Sequence, residues 1–223
     1  MLKDQGAMNG DRGRLLRAVA TALAVALLGV VILAEGAAAS CGGVETAKPR
    51  RNVNPGGKAP LAIGDSVMLF AVPSLGRIGY QANARGCRAW DEGLSVMRKY
   101  KRDGRLPHLI TIALGADWVI SKQDIRRALH IAGERRVLAL VTPRETGGGQ
   151  SSDAENIRWA YRTHSKRVML LDWVRYARGH RSWFQPDGLH LTFAGAAAYT
   201  KLMGKALRFA AAGEFPSGTK FPE

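Results

Sequence analysis

Cysteine is scarce in this chain. Cys41 and Cys87 are the only two, and no Cys/His spacing of the zinc-binding kind surrounds them, so a metal site is not indicated. Acidic side chains are also few, 18 Asp and Glu against 33 Lys and Arg, for a formal charge of +15. Lys3, Arg12, Arg14 and Arg17 against Asp4, Asp11 and Glu35 leave the first 40 residues at +1, so +14 falls on the remainder. Such a field draws anionic partners: nucleic acid, acidic lipid or an acidic wall polymer. The basic residues lie scattered in pairs such as Lys101–Arg102, Arg126–Arg127 and Arg135–Arg136. That spread describes a solvated basic surface rather than a nucleic-acid groove, and nucleic acid is not the expected partner. Internal repeats and low-complexity arrays are missing. His108, His130, His164 and His180 are dispersed, each reading as a surface or core-edge residue.

One long uncharged run does occur, Ala18 to Ala34, preceded by Arg12, Arg14 and Arg17. As a helix it would span roughly 25 Å at ~1.5 Å per residue, a little short of a bilayer core. Its basic flank stays inside, which sends the chain beyond Glu35 outside. Residues 1–40 therefore read as a signal or membrane anchor. Ala37-Ala38-Ala39 fits a small-residue cleavage site. Ala38-Ala39-Ser40-Cys41 also resembles a bacterial lipobox that lacks its usual first residue, which leaves secretion, anchoring by 18–34 and lipidation of Cys41 as open alternatives. An exported protein could instead pair Cys41 with Cys87; otherwise Cys87 is a small packed thiol. Residues 41–58, rich in Gly, Pro and basic residues, read as a flexible linker.

The remaining 59–212 is enough for one domain with a real core. Short apolar, β-branched runs at Ala59–Ile63, Leu109–Leu114, Val137–Val141 and Val168–Leu171, with a weaker one at Tyr80–Ala84, read as buried parallel strands. Helical patterns separate them: Ser66–Leu75 broken near Pro73, Asp91–Arg102, Ser121–Gly133 capped by Ser121 with Asp124 three residues on, Ser152–Ser165 and Thr192–Ala212. Strands alternating with helices predict an α/β domain, an open parallel sheet with helices on both faces. Residues 213–223 read as a disordered tail.

In such a sheet ligands bind beyond the carboxyl ends of the strands. The polar residues there are Gly64-Asp65-Ser66, Gly86, Gly115-Ala116-Asp117 and Pro186-Asp187-Gly188-Leu189-His190. Ser66 falls where the first strand becomes a helix, among N–H groups that favour developing negative charge; alone, it could equally be a helix cap. Asp187 and His190, three apart, let one turn carry a base and the carboxylate that fixes its tautomer, although a Pro-Asp-Gly turn beside an unrelated histidine has the same sequence. Together the two segments supply serine, imidazole and carboxylate, the set needed for nucleophilic acyl transfer.

Ile63-Gly64-Asp65-Ser66-Val67-Met68 and Asp187-Gly188-Leu189-His190-Leu191 resemble the first and last blocks of the SGNH (GDSL-type) hydrolases. More narrowly, the stretch from about Ala59 to Leu207 is similar to the extracytoplasmic SGNH domain of acyltransferase-3-linked peptidoglycan O-acetyltransferases. Leu114-Gly115-Ala116-Asp117, Val141-Thr142-Pro143-Arg144 and Leu171-Asp172-Trp173 add to the likeness. Gly-x-Ser-x-Gly is missing, so the α/β-hydrolase elbow is not the template. The resemblance implies a three-layer α/β/α fold on a parallel, flavodoxin-like five-stranded sheet. It also implies Ser66 as nucleophile, His190 as base, Asp187 as orienter, and backbone N–H groups of Ser66 and Gly86 in the oxyanion hole. No cofactor is implied.

The family's oxyanion asparagine is Asp117 here. Asn donates; an ionised Asp only accepts. Two negative charges about 4 Å apart cost roughly 4 kcal/mol at an effective dielectric near 20. Three outcomes are open: Asp117 protonated in a dry pocket, Asp117 turned away, or turnover lost with a binding role kept. Arg144, after a strand end, could bind a substrate carboxylate or sit in a surface ion pair; Trp118, replacing a family glycine, could narrow the pocket or simply pack. Two functions fit these residues. One is an esterase or O-acyltransferase acting on acyl, by resemblance O-acetyl, esters of envelope glycans, with any donor coming from a separate multi-span protein or a soluble ester. The other is a degenerate module that binds anionic wall polymer.

Overall fold

The computed structural model describes residues 41–150 and 152–216. The segment 18–34 and its cleavage site lie outside the described residues. Among those described, no helix is long and apolar enough to cross a membrane.

Five parallel strands form where the apolar runs predict them: β2 (Leu61–Gly64), β3 (Gln81–Arg85), β4 (Leu109–Ala113), β5 (Val137–Val141) and β6 (Val168–Leu171). Their order, β3-β2-β4-β5-β6, reverses direction beside β2, the flavodoxin-like arrangement that opens a crevice at that point. A sixth strand was not expected. β1 (Val44–Ala47) pairs antiparallel with β3 at the edge, which corrects the reading of 41–58 as a flexible linker. Four residues with three exposed side chains carry no apolar signal; β1 is held by its ladder, by Arg50 N–H donating to Gly76 O, and by the covalent bond of Cys41 to Cys87. That bond also removes the free thiol that lipidation of Cys41 would need, and it replaces the picture of Cys87 as a lone packed side chain.

Helices α1 (Ser66–Leu69) and α2 (Val72–Ile78) come after β2, with Pro73 at the start of α2 rather than inside one long helix. Then come α3 (Trp90–Arg102), α4 (Lys122–Ala132), α5 (Ser152–Thr163), α6 (Trp173–Tyr176) and α7 (Phe193–Gly204). Ser121 caps α4 in a reciprocal pair with Asp124. A 3-10 turn over Lys205–Phe209 ends the closing helix earlier than its alanine content suggests.

Alternation along each strand divides the core in two. Leu61, Ile63, Ile110, Ile112, Leu138 and Leu140 face Trp90, Leu94, Ile125 and Ile157 of α3, α4 and α5. The other face is small on β2 and β3, with Ala62, Ala82 and Ala84, and mixes Ala113 and Ala139 with Leu109, Val137, Met169 and Leu171 on the remaining strands; Met68, Leu75, Trp173, Tyr199 and Met203 pack against it. Tyr80 pins α7 to this face, its hydroxyl 3.0 Å from both Thr111 Oγ1 and Met203 O. The segment before α7 is thereby brought over the end of β2. The tail expected at 213–223 is docked as far as it is described: Glu214 O accepts from His108 Nε2 at 2.8 Å, and Phe215 meets the His108 ring edge-on.

Candidate active site

The sheet register sets the level of each loop. Gly64 pairs with Ala84 of β3 and with Ala113 of β4. Two residues further on, Ser66, Gly86 and Gly115 each lie just past the end of one of these neighbouring strands. Ser66 opens α1. Asp65, its N-cap, is almost fully buried; its Oδ1 accepts from Val67 N–H at 3.1 Å and its Oδ2 from Ala116 N–H at 3.0 Å. One carboxylate thus ties the serine turn to the loop that bears Asp117. Burial pushes its pKa up to about 6 against the pull of those N–H groups.

His190 arrives from the loop before α7. Its Nε2 lies 3.0 Å from Ser66 Oγ, 124 residues away in sequence, and its Nδ1 lies 2.6 Å from Asp187 Oδ2. Asp187 Oδ1 accepts from the N–H groups of Leu189 and His190 at 2.9 and 3.0 Å. Burial alone would raise the Asp187 carboxyl; the histidine bond and those two N–H groups outweigh it and hold it below the usual carboxylate range. With Asp187 ionised, Nδ1 carries the proton and Nε2 is left to accept from the serine hydroxyl. Gly188, at φ +71°, makes the turn, and a Cβ there would press on the Gly147–Gly148 backbone at 3.0 Å.

Arg144 packs against the turn that carries Asp187. Its guanidinium lies over the Phe184 ring, 4.1 Å from the centroid, and its Nε donates to Gly188 O at 3.4 Å. It makes no ion pair among the described residues. It braces the Asp187 turn, in place of the surface ion pair that was one reading of it.

The opposite side of Ser66 is held by long-range ties. Gly86 is followed by Cys87, a non-glycine residue at φ +52°, and then by buried Arg88. Arg88 Nη1 donates to Gly64 O at 3.0 Å and to Asn83 O at 2.8 Å, and its Nη2 to Asn83 Oδ1 at 2.7 Å. Trp118 Nε1 donates to Cys87 O at 3.3 Å. Because β2 lies between β3 and β4, that bond arches over the end of β2 beside Ser66. Trp118 is 57% exposed, so it is not packed away. Asp117 is exposed, and no dry pocket encloses it. Asp65 and Arg88, which organise both loops, are not evident as site residues from sequence; a charged residue between a buried strand and the candidate nucleophile is the signal that could have found Asp65.

No family model matches the chain. It is 29% identical over 145 residues to the peptidoglycan O-acetyltransferase OatA of Listeria monocytogenes, covering 64% of this chain and 23% of that protein. The chain thus spans about a quarter of the length of the curated relatives it matches. Among solved structures, it resembles the C-terminal catalytic domain of Streptococcus pneumoniae peptidoglycan O-acetyltransferase A, with TM-score 0.61 and 23% identity over 69% of this chain and 94% of that one. The chain has the SGNH hydrolase fold. A lipase/acylhydrolase from Enterococcus faecalis shares this SGNH architecture at TM-score 0.54 and 16% identity, over 67% and 95% of the two chains.

Proposed function

We propose that this SGNH domain is an extracytoplasmic serine esterase or O-acyltransferase acting on O-acetyl esters of cell-envelope glycans. The observation that carries the reading is the continuous relay from Ser66 Oγ through His190 to Asp187, at 3.0 and 2.6 Å. Ser66 Oγ attacks the ester carbonyl while its proton passes to His190 Nε2. Asp187 steadies the imidazolium; it stays ionised throughout. His190 returns the proton to the departing alcohol, and an acetyl-Ser66 ester remains. Water or a sugar hydroxyl then gives its proton to His190 and attacks the acyl carbon, and His190 returns that proton to Ser66 Oγ as the acyl–serine bond breaks. The first acceptor makes an esterase, the second a transferase. Backbone N–H groups of Ser66 and Gly86 stabilise the oxyanion, with Trp118 as a wall on the acyl side. Peptidoglycan O-acetylation is the named activity of relatives such as the Listeria protein, and it supports a glycan as the natural acceptor here.

The disulfide supports an oxidising compartment, since such bonds persist outside the cytoplasm. Together with the run 18–34 it favours a domain tethered to or released from the outer face of a membrane, fed with acyl groups by a separate multi-span protein or a soluble ester. The test is hydrolysis of p-nitrophenyl acetate by the full chain, with and without a soluble glycan, alongside labelling of Ser66 by a serine-directed phosphonate. Labelling that disappears in His190→Ala supports the enzyme, and release accelerated by glycan supports transfer. An unlabelled Ser66 would leave the wall-polymer-binding reading, which the carboxylate of Asp117 favours.

A further inference from the structure

Large apolar side chains are exposed at only five described positions: Val44, Phe70, Trp118, Val119 and Phe193. All but Val44 stand close in sequence to the residues of the proposed relay and oxyanion hole. Such a concentration is the mark of a binding surface rather than of scattered surface hydrophobics. The four divide into two sides. Trp118 and Val119 come directly after Asp117 on the oxyanion side. Phe70 lies four residues after Ser66, one helical turn along the same face, and Phe193 lies three after His190. Their rings meet edge-to-face at 5.8 Å with an interplanar angle of 70°. The Ser66–His190 and Phe70–Phe193 contacts therefore join the same two segments of chain, and Phe193 belongs to the segment that carries His190.

The chemistry assigns that side. His190 must protonate the alcohol that leaves and deprotonate the alcohol that accepts, so the alcohol half of the ester has to lie next to the imidazole, away from the oxyanion donors. We infer that Phe70 and Phe193 form the alcohol subsite, where the C–H face of a pyranose ring stacks and points a hydroxyl at His190 Nε2. This rests on the proposed function and deepens it by locating the acceptor. A lipid surface or a protein partner fits less well. Phe70 is 48% and Phe193 85% exposed, so two rings offer on the order of 250 Å² of free surface, well under the ~800 Å² per partner of a stable protein interface. That is the scale of one sugar ring, and an aromatic face binds such a ring without blocking the hydroxyls at its edge.

The experiment uses the full chain carrying Ser66→Ala, to prevent turnover, titrated with the tetramer of N-acetylglucosamine. Adding Phe193→Ala is expected to weaken binding about three- to tenfold. Phe193→Trp is expected to restore it, and Phe193→Leu, apolar but without a flat ring, to restore it only in part. Thermal melting of each variant shows that the fold is kept, as expected for so exposed a side chain. Unchanged affinity in Phe193→Ala, full affinity in Phe193→Leu, or no binding of the tetramer by the parent overturns the subsite. So does loss of binding to anionic vesicles in Phe193→Ala with glycan affinity intact. Phosphonate labelling of wild-type Ser66 is read separately: a labelled serine with no glycan binding sinks the subsite alone, while an unlabelled one sinks the enzymatic reading beneath it.

Discussion

The two sides of Ser66 are built by different means. On the histidine side, Asp187 and His190 share one turn, and the carboxylate is fixed by N–H groups two and three residues further along the chain. On the side of the proposed oxyanion hole, a disulfide ties the start of β1 to the loop after β3, while a buried guanidinium and an indole bond tie that loop to the end of β2 and to the loop after β4, with a left-handed residue among them. A local turn needs few supports because closing it orders little chain. An assembly of distant loops carries a larger ordering cost, and the disulfide and the hydrogen bonds of the buried Arg88 guanidinium sit where that cost is highest.

The relay is where substitution should do most damage. His190→Ala and Asp187→Asn are each expected to lower kcat for p-nitrophenyl acetate by about 10³–10⁴, the first by removing the base and the second by leaving it in the wrong tautomer. Asp187→Asn should leave the melting temperature nearly unchanged. A loss below tenfold in His190→Ala would show that the Ser66–His190 bond does not carry the proton, and one below tenfold in Asp187→Asn that the carboxylate does not set the tautomer.

Removing the clamp should instead act on stability and geometry together. Cys41 and Cys87 close a loop with a sequence separation of 46, and loss of such a bond costs about 2–4 kcal/mol. Cys41→Ser, or reduction of the wild type, is expected to lower the melting temperature and to reduce kcat more than it raises KM. Equal kcat in the oxidised and reduced chain would separate the disulfide from the positioning of Gly86.

This difference also explains what could be read from sequence. Four of the five parallel strands were legible as apolar runs, while β3 (Gln81–Arg85) shows only an alternation of small buried residues with polar ones; the relay was legible because serine and the Asp-Gly-Leu-His turn have the types and spacing of the resemblance. Strand β1 was illegible: Val44–Ala47 shows neither run nor alternation, and its place is fixed by β3 and by Cys87. The ties of Arg88 and Trp118 were illegible for the same reason, since each joins residues from different strands to backbone carbonyls, which carry no side-chain signature. Asp117 was visible as a departure, but its exposure depends on a loop whose course only the fold sets.

On the oxyanion side, Asp117→Asn asks whether an exposed carboxylate still depresses the rate. It replaces an acceptor with a donor near the proposed hole and removes a charge that opposes the oxyanion. A gain of about tenfold in kcat is expected, smaller than the 10²–10³ that a fully engaged donor supplies, because Asp117 is open to solvent. An unchanged or lower rate would show that the backbone groups of Ser66 and Gly86 act without it.

The smallest effect expected is at the hinge between the two sides, Asp65, whose carboxyl serves the serine turn and the Asp117 loop at once. Burial raises its pKa to about 6, above the ~3.9 of an unfolded chain. The folded state therefore binds its proton more readily. The stability this adds is complete below the unfolded value and disappears as pH rises through about 6. Between pH 7.5 and pH 5 the gain is about 1 kcal/mol, kept small by the N–H donors around the group. His164, whose pKa burial and the nearby Arg167 and Arg126 lower, has the opposite slope over part of that range, so the wild-type curve by itself decides nothing. The difference between the denaturation curves of wild type and Asp65→Asn does, because His164 is common to both. Wild type should gain on the variant by that amount as pH falls to 5. If the two curves run parallel, Asp65 keeps an ordinary carboxyl pKa, and the N–H groups of Val67 and Ala116 stabilise its charge as strongly as burial opposes it.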